Sequence, residues 1–236
     1  MDFSLLNKFG NKSSFESNYE VIDETEDFIV ILKKHGLAVQ VTDKEVDDLE
    51  TILNNRYAEK VHVLNRIDQP VTGLVIFGKN KVFASHFTEM LKERSVKKTY
   101  LALVSGEPQK VPTELKHYIK KLHNRAMTAD EKVDDFFKES ILVYTLLQSF
   151  DRYHLLKIDL KTGRFHQIRA QLATMDMPIK GDLKYGSRRP NLDRSIGLLS
   201  YKLEFIHPFT GKKHSYTAPL PENDVLWTMV DRTLLE

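Results

Sequence analysis

The sequence predicts an α+β fold whose core is a mixed but mostly antiparallel sheet with flanking helices. Short runs of aliphatic, aromatic and β-branched residues recur along the chain, and helical windows interrupt them without the regular strand–helix alternation of parallel α/β proteins. The 236 residues contain 41% hydrophobic and 29% charged side chains, which is typical of a globular protein with a sizeable core.

Local patterns predict the elements of the N-terminal half. Residues 1–20 show no clear period, so we expect an irregular tail there, followed by a single domain over 21–236. A first helix is capped by Thr42 or Asp43, and a second by Asn80, because each residue precedes apolar side chains at helical spacing. The apolar positions are Val46, Leu49, Leu53 and Tyr57 in the first helix and Phe83, Phe87, Met90 and Leu91 in the second. The predicted strands are 28–32, 61–64, 73–77 and 99–104.

The C-terminal half is predicted to be richer in hairpins. Residues 107–139 are polar and charged, which favours edge strands and an exposed excursion. Alternating apolar positions predict one hairpin from 141–150 and 153–160, and another from 198–206 and 214–217. Between them, 166–173 has a helical pattern, and Pro221 is suited to the first turn of a last helix. The apolar residues of that helix are Val225, Leu226, Met229 and Val230.

Several chemistries are excluded or disfavoured by composition and motif. The chain has no cysteine, so it holds no disulfide, thiol nucleophile or thiolate zinc site, and its nine histidines lack metal-ligand spacing. No Walker loop, dinucleotide-binding glycine motif or serine-hydrolase elbow is present. No apolar run approaches bilayer length, and the N-terminus lacks signal-peptide features. We therefore expect no metal and no membrane contact, and a cytoplasmic location.

The charge distribution indicates an anionic partner more clearly than the net charge of +2 does. Residues 1–50 carry 12 acidic and 5 basic side chains, whereas the remainder carries 21 acidic and 30 basic ones. Clustered lysines and arginines supply the sequence-independent part of nucleic-acid binding, although solvated surface charge is the alternative interpretation. The clusters are Lys92, Arg94, Lys97 and Lys98; Lys116, Lys120, Lys121 and Arg125; Lys180, Lys184, Arg188 and Arg189; and Lys212 and Lys213.

The most informative stretch is 65–73, with the sequence N-R-I-D-Q-P-V-T-G. Arg66 and Asp68 are two residues apart, so they point to the same side of an extended segment. Pro70 and Gly73 indicate a bend that would place the Asp68 carboxylate at a loop edge, where it can reach a ligand. The alternative is that Asp68 caps the turn or pairs with Arg66 for structure.

Three further stretches carry candidate residues. In 163–169, with the sequence G-R-F-H-Q-I-R, His166 and Arg169 become neighbours in the first turn of a helix, where Arg164 adds a second guanidinium. This arrangement suits an anion or a catalytic carboxylate, or else an ordinary basic surface helix. Tyr100 lies in a predicted strand, either as core or as a ring that packs on a flat ligand. The glycine-containing segment 178–186 is predicted to be a structural turn.

Taken together and in this order, these stretches resemble the RluA family of pseudouridine synthases. The family's His-Arg-Leu-Asp-x-x-Thr-Ser-Gly motif corresponds to 65–73, with Asn65 in place of the usual histidine. Its Lys-Lys-x-Tyr-x-Ala strand corresponds to 97–102, and its Gly-Arg-x-His-Gln-Ile-Arg motif to 163–169. The Pro-Ile-x-Gly-Asp turn matches at 178–186 and the His-Pro-x-Thr-Gly hairpin at 207–211, while the early Lys-Pro-x-Gly turn is altered at 33–36. The likeness covers roughly 22–220, and we expect the form of the family without its N-terminal accessory RNA-binding module.

The resemblance implies the pseudouridine synthase catalytic fold and isomerisation of a specific uridine, in a ribosomal or transfer RNA stem-loop, to pseudouridine. It implies Asp68 as the nucleophile, with Tyr100 and Arg169 also catalytic, and base flipping of the target. The implied substrate-binding residues are Arg66, Arg164, His166, Gln167 and Ile168. The reaction has no redox step, so no cofactor is expected, and we expect a monomer.

Two other functions stay open at this point. A non-catalytic RNA-binding protein on the same scaffold would be favoured by loss of the aspartate, tyrosine or arginine, all of which are present. A hydrolase with an aspartate nucleophile and a small substrate would need an acid or base partner, for which the sequence offers no motif.

Overall fold

The computed structural model describes residues 18–41, 48–222 and 224–235. Within these ranges, four helices accompany an 11-stranded sheet. The strands are β1 (Tyr19–Glu24), β2 (Phe28–Lys33), β3 (His62–Val63), β4 (Thr72–Gly78), β5 (Lys97–Val104), β6 (Thr113–Leu122), β7 (Arg125–Ala129), β8 (Lys138–Ser149), β9 (His154–Leu160), β10 (Leu198–Ile206) and β11 (Lys213–Thr217). The helices are α1 (Leu49–Arg56), α2 (Lys81–Lys92), α3 (Gln167–Thr174) and α4 (Val225–Thr228). None of the described helices is long and apolar enough to cross a membrane.

The strands form one continuous sheet in the order β1-β2-β4-β10-β5-β9-β8-β6-β7, with β3 paired to β4 and β11 to β10. Among the described strands the β4–β10 contact is parallel and the other pairs are antiparallel. The predicted α+β class with a mostly antiparallel sheet is confirmed. The polar segment 107–139 contains β6 and β7. β7 is an edge strand, as predicted, whereas β6 is an interior strand between β7 and β8.

Each face of the sheet buries its own apolar core, as strand alternation requires. On the face that carries Tyr100, which we call the front, α1 and α3 pack their apolar side chains. On the opposite, back face, α2 contributes Phe83 and Phe87, and α4 contributes Trp227. Tyr100 and helix α3 therefore lie on the same, front face of the sheet.

Three element predictions need correction or lie outside the described residues. Strand β1 begins at Tyr19, inside the predicted tail. The apolar–polar alternation fails in its second half, because Ile22 faces solvent and Asp23 faces the half-buried side. The last helix begins after Asp224, whose carboxylate accepts the Leu226 N–H, so Pro221 lies outside it. The Thr42 or Asp43 cap falls outside the described residues. The described start of α1 is capped by Asp48.

The predicted start of α2 is confirmed. The Asn80 side-chain oxygen accepts the Phe83 N–H at 2.8 Å, and its amide donates to Asp27 at 2.8 Å. The first bond satisfies a backbone donor that the helix itself leaves free, which is the physical basis of an N-cap.

Gly73 permits the close approach of β4 and β10 behind the Asp68 loop. Its φ is +132°, and a Cβ at this position would lie 2.4 Å from the Ser200 carbonyl oxygen and 2.6 Å from the Ser200 nitrogen. These are fixed backbone atoms in the parallel pair of Ser200 with Gly73. A glycine is therefore required for both backbone angle and space.

We predict that Gly73→Ala lowers the free energy of unfolding by about 2–4 kcal/mol, from backbone strain and separation of the two strands. Urea denaturation measures the change. Gly163→Ala is the control, because its added Cβ would meet only the Lys98 Nζ, at 3.5 Å, and we expect a loss below about 1 kcal/mol. Equal stability of the two variants would contradict the argument.

Candidate active site

Asp68 lies in the loop that joins β3 to β4, and Asn65 anchors the start of this loop. The Asn65 side-chain oxygen accepts the Ile76 N–H at 2.7 Å, and its amide donates to the Leu74 carbonyl at 3.4 Å. The side chain thus takes the place of a backbone partner for β4. The replacement of the family's histidine by Asn65 retains an anchor for the segment that carries Asp68.

A buried lysine supports this loop from below. The Lys33 ammonium is fully buried and donates to the carbonyls of Leu37 at 2.8 Å, Val71 at 2.7 Å and Gln69 at 3.3 Å. Burial lowers the Lys33 pKa to about 7, and the negative charge of Asp68 opposes that shift. Lys33 therefore joins the turn after β2 to the Asp68 loop. The sequence indicated Lys33 only as part of a turn motif.

The Asp68 carboxylate faces a guanidinium held between two acids. Arg169 Nη1 lies 2.9 Å from Asp68 Oδ2, while its Nε and Nη2 donate to the two oxygens of Asp182 at 2.7 and 2.8 Å. The Asp182 side chain is 1% exposed and that of Arg169 is 5% exposed, whereas that of Asp68 is 24% exposed. The cluster therefore presents one partly exposed carboxylate, that of Asp68, next to the buried ion pair of Arg169 and Asp182.

The protonation of Arg169 is secured by its partners. Burial acts to lower its pKa, but the hydrogen bonds and charge of Asp182, together with Asp68, outweigh burial and raise the pKa above its ordinary value. The bidentate geometry also fixes the plane of the guanidinium. Arg169 is thus a permanent cation that orients Asp68.

His166 lies between Asp68 and the turn that follows α3. It is the residue before α3 and has a left-handed backbone with φ of 53°. Its Nε2 is 3.7 Å from Asp68 Oδ2, and its Nδ1 is 2.9 Å from the Tyr185 hydroxyl. Burial, and then the charge of Arg169, lower its pKa to about 3. His166 is therefore neutral at physiological pH and packs beside the carboxylate without carrying charge.

Tyr185 connects this centre to the β6–β7 hairpin. Its hydroxyl accepts the Ala126 N–H at 2.6 Å, and its ring lies 5.0 Å from the Arg169 guanidinium and 5.3 Å from that of Arg125. One aromatic side chain thereby contacts both the ion pair and the exposed hairpin.

Tyr100 lies on β5 within the front-face core, together with Ile168. Burial raises its pKa to about 12; a hydrogen bond with Ser200 opposes this shift, and the charge of Asp68 adds to it. The phenol is therefore protonated at neutral pH. Tyr100 belongs to the same buried cluster as Ile67, the residue before Asp68. The structure thus brings Tyr100, Ile168, His166 and Arg169 to the region of Asp68.

The other predicted binding residues divide into exposed and buried ones. Arg66 is exposed, and its Nη1 lies 3.4 Å from the Gln40 side-chain oxygen. Arg164 is exposed as well, and its Nε donates to the Glu139 carbonyl at 3.1 Å. Both guanidiniums are therefore accessible to a large ligand.

Gln167 is 3% exposed, and its amide group is occupied within the protein. Its oxygen accepts from the Thr162 hydroxyl at 2.8 Å and from the Arg164 N–H at 3.0 Å, and its nitrogen donates to the Ile141 carbonyl at 3.2 Å and to Gln171 at 2.9 Å. Gln167 therefore fixes the loop that leads into α3, and a direct contact with the substrate stays a prediction.

The basic clusters are partly neutralised by tertiary contacts. Lys120 pairs with Asp134, Lys116 pairs with Glu139, and Lys180 contacts Asp224. Within the part of the chain that the structure describes, no group of three or more acidic or histidine side chains is arranged to hold a metal ion.

Asp182, Lys33 and Tyr185 are the site residues that the sequence did not identify as such. Asp182 and Tyr185 belong to the segment 178–186, which we interpreted as a structural turn. Asp182 can be identified as a site residue only when Arg169 is known to lie beside it. No pattern in the sequence predicts that pairing.

Comparisons with known proteins show the family to which this chain belongs. The family model described as RNA pseudouridylate synthase matches residues 27–174. The chain is 29% identical over 225 residues to ribosomal large subunit pseudouridine synthase C of Buchnera aphidicola subsp. Baizongia pistaciae, covering 90% of this chain and 68% of that protein. It is 27% identical over 218 residues to tRNA pseudouridine synthase C of Vibrio parahaemolyticus, covering 82% and 87%.

A solved structure also shows the same fold. Human RNA pseudouridylate synthase domain containing 1 superposes with a TM-score of 0.71 at 23% identity, over 88% of this chain and 87% of that one. With the family model matching more than half of the residues, the chain belongs to the RluA family of RNA pseudouridine synthases, isomerases that convert uridine in RNA to pseudouridine.

Proposed function

We propose that this protein isomerises a specific uridine of ribosomal or transfer RNA, with Asp68 as the nucleophile. The observation that carries the proposal is the pairing of Asp68, which is partly exposed, with Arg169, which is buried and fixed by Asp182. This arrangement orients a partly exposed carboxylate against a fixed, buried cation. A carboxylate in that setting can form a covalent intermediate and divide a difficult step into two.

The reaction breaks the N1–C1′ bond of the uridine and forms a C5–C1′ bond. The C5 proton is released to solvent, and N1 takes up a proton in exchange. The Asp68 carboxylate attacks either the ribose or the pyrimidine ring, and release of this adduct restores the carboxylate. Atoms and electrons balance without an oxidant or a group donor.

The target nucleotide is expected to leave its stack before it reaches Asp68. The Asp68 side chain is 24% exposed and lies beside buried groups, so a stacked base cannot approach it. Extrusion costs a few kcal/mol, which is roughly the unstacking energy of one base. Arg66 is exposed on the same loop, where its guanidinium can occupy the vacated position or hold the adjacent phosphate.

Tyr100 and Ile168 provide the apolar wall against which the base packs in this proposal. Because the Tyr100 phenol has a pKa of about 12, it meets the substrate as a neutral hydroxyl. The ring then supplies packing, and the hydroxyl takes part in removal of the C5 proton as a hydrogen-bonding relay, without being a preformed phenolate.

The names of the two bacterial relatives support ribosomal and transfer RNA as target classes. The β6–β7 hairpin is an exposed element that contacts Tyr185 beside the site, which supports recognition of a small stem-loop. Mapping pseudouridines across all RNAs of a deletion strain and its parent would identify the target. A map without any lost position would contradict the proposed RNA classes.

We predict that Asp68→Asn abolishes pseudouridine formation, by at least about a thousandfold, because an amide cannot form the covalent adduct. Tritium release from C5-labelled uridine in total RNA of a deletion strain is the measurement. RNA affinity is expected to persist. The fully exposed Asp151→Asn is the charge-matched control and should keep parental activity. Residual activity of Asp68→Asn within tenfold of the parent would refute its role as nucleophile.

We predict different outcomes for two substitutions at Tyr100. Tyr100→Phe keeps the ring, so uridine binding is retained while turnover slows by about 10- to 100-fold, the range of a lost proton-transfer group. Tyr100→Ala also removes buried packing and damages both binding and stability. Steady-state kinetics and a thermal melt distinguish the two effects. Parental turnover by the phenylalanine variant would exclude a role for the hydroxyl.

Asp182 is a positioning residue in this proposal, since it acts through Arg169. We predict that Asp182→Asn lowers kcat by about 10- to 100-fold at unchanged RNA affinity, because the guanidinium no longer fixes Asp68. The free energy of unfolding should fall by about 2–4 kcal/mol, as for a broken buried ion pair. A stable variant with kcat within twofold of the parent would remove Asp182 from the mechanism.

A further inference from the structure

The back face of the sheet, opposite Asp68, contains a basic cavity of about 440 Å³. Four cationic side chains line it, and two threonine hydroxyls lie between them. These residues are Arg94, Lys97, Lys157, Lys161, Thr99 and Thr145. Its volume falls within the range of roughly 300–1,000 Å³ that is typical of ligand sites.

Strand alternation explains why these side chains face away from the catalytic centre. Tyr100 on β5 and Ile158 on β9 belong to the front-face core, so their neighbours Thr99 and Lys157 point to the back. The back-face core formed with α2 and α4 includes Leu101 on β5 and Leu155 on β9. The cavity lies beyond these core residues, towards the start of β5 and the end of β9, and the loop after α2 borders it at Arg94.

Positive side chains outnumber negative ones in the lining of the cavity. Asp159 is the acidic side chain among the lining residues, and it pairs with Lys161. Arg94 lies 3.5 Å from Glu139 at the rim. Lys97 and Lys157 have no acidic partner within residues 18–41, 48–222 and 224–235, so two ammonium groups remain available to a ligand. Amines and hydroxyls arranged in this way suit phosphate oxygens.

Basic side chains continue from this cavity to the catalytic side. The Glu139 carboxylate forms ion pairs with Arg94 and Lys116. The backbone carbonyl of Glu139 accepts a hydrogen bond from Arg164 Nε at 3.1 Å. Lys161 follows β9, and the chain then passes through Arg164 to His166 beside Asp68. A polyanion that leaves the active site past Arg164 therefore meets further cationic side chains on its way around the end of β9.

We propose that the back-face cavity binds the phosphodiester backbone of the substrate RNA where the RNA passes from the catalytic face around the end of the sheet at which β8 begins and β9 ends. The proposal rests on the proposed function, because it assumes that RNA occupies the Asp68 site. The cavity contributes affinity and not sequence choice, since its contacts are with phosphates. RNA segments that flank the target uridine would occupy it.

The first experiment uses the double variant Lys97→Gln/Lys157→Gln, which removes the two unpartnered charges. The charge-matched control is Lys60→Gln/Lys110→Gln, both exposed and outside the cavity. With C5-tritiated total RNA of a deletion strain, the cavity variant should raise KM at least fivefold and leave kcat within twofold. Its salt slope for RNA binding should fall by about 1.4–1.8, the value for two lost phosphate contacts. A KM and a salt slope equal to those of the control would overturn the proposal.

The second experiment does not depend on catalysis. Ultraviolet crosslinking of Asp68→Asn to total RNA, followed by peptide mass spectrometry, should give nucleotide adducts on residues 94–99 and 157–161. Adducts confined to other segments would overturn the proposal. If the parent protein forms no pseudouridine, the proposed function fails, while these adducts still decide whether the cavity contacts RNA.

Discussion

The active-site geometry depends on one buried guanidinium that is shared between two carboxylates. Arg169 uses Nε and Nη2 for Asp182 and Nη1 for Asp68, so its orientation is fully determined by the protein. Burying three charges costs free energy, and such a cluster persists only when its hydrogen bonds are complete. Here the inner pair is closed to solvent, and the third charge is left accessible. The buried pair of Arg169 and Asp182 thus fixes the position of the Asp68 carboxylate.

The loop that carries Asp68 is held as firmly as its partner. Lys33 ties its carbonyls to the turn after β2, Asn65 bonds to β4, and Gly73 allows β10 to approach behind it. These contacts come from segments far apart in the chain. A loop normally has much conformational freedom, and these contacts restrict it around Asp68.

The sheet separates two surfaces of different character. The front face joins apolar packing at Tyr100 and Ile168 to the charged centre at Asp68. The back face is apolar beneath α2 and basic where β8 begins and β9 ends. Because successive side chains of a strand point to opposite faces, Lys97 and Lys98 serve different surfaces although they are adjacent in sequence. A charge cluster in the sequence is therefore not one patch in the fold.

The sequence by itself determined the fold class, most of the strands, the start of α2 and the identity of the candidate residues. These features are local, since alternation, helical spacing and an N-cap involve residues within a few positions of one another. It missed β1, where an outward Ile22 and an inward Asp23 break the alternation, and it placed Pro221 in a helix that begins after Asp224.

Only the tertiary structure decided which side chains meet. The pairing of Arg169 with Asp182, the burial of Lys33 beneath the Asp68 loop and the occupation of Gln167 by protein contacts each join residues whose relation no local pattern encodes. The same holds for Lys116 and Lys120, which counted as free charge in the sequence and are paired in the fold. Local patterns arise from backbone geometry over a few residues, whereas ion pairs and burial depend on how distant strands are ordered in the sheet.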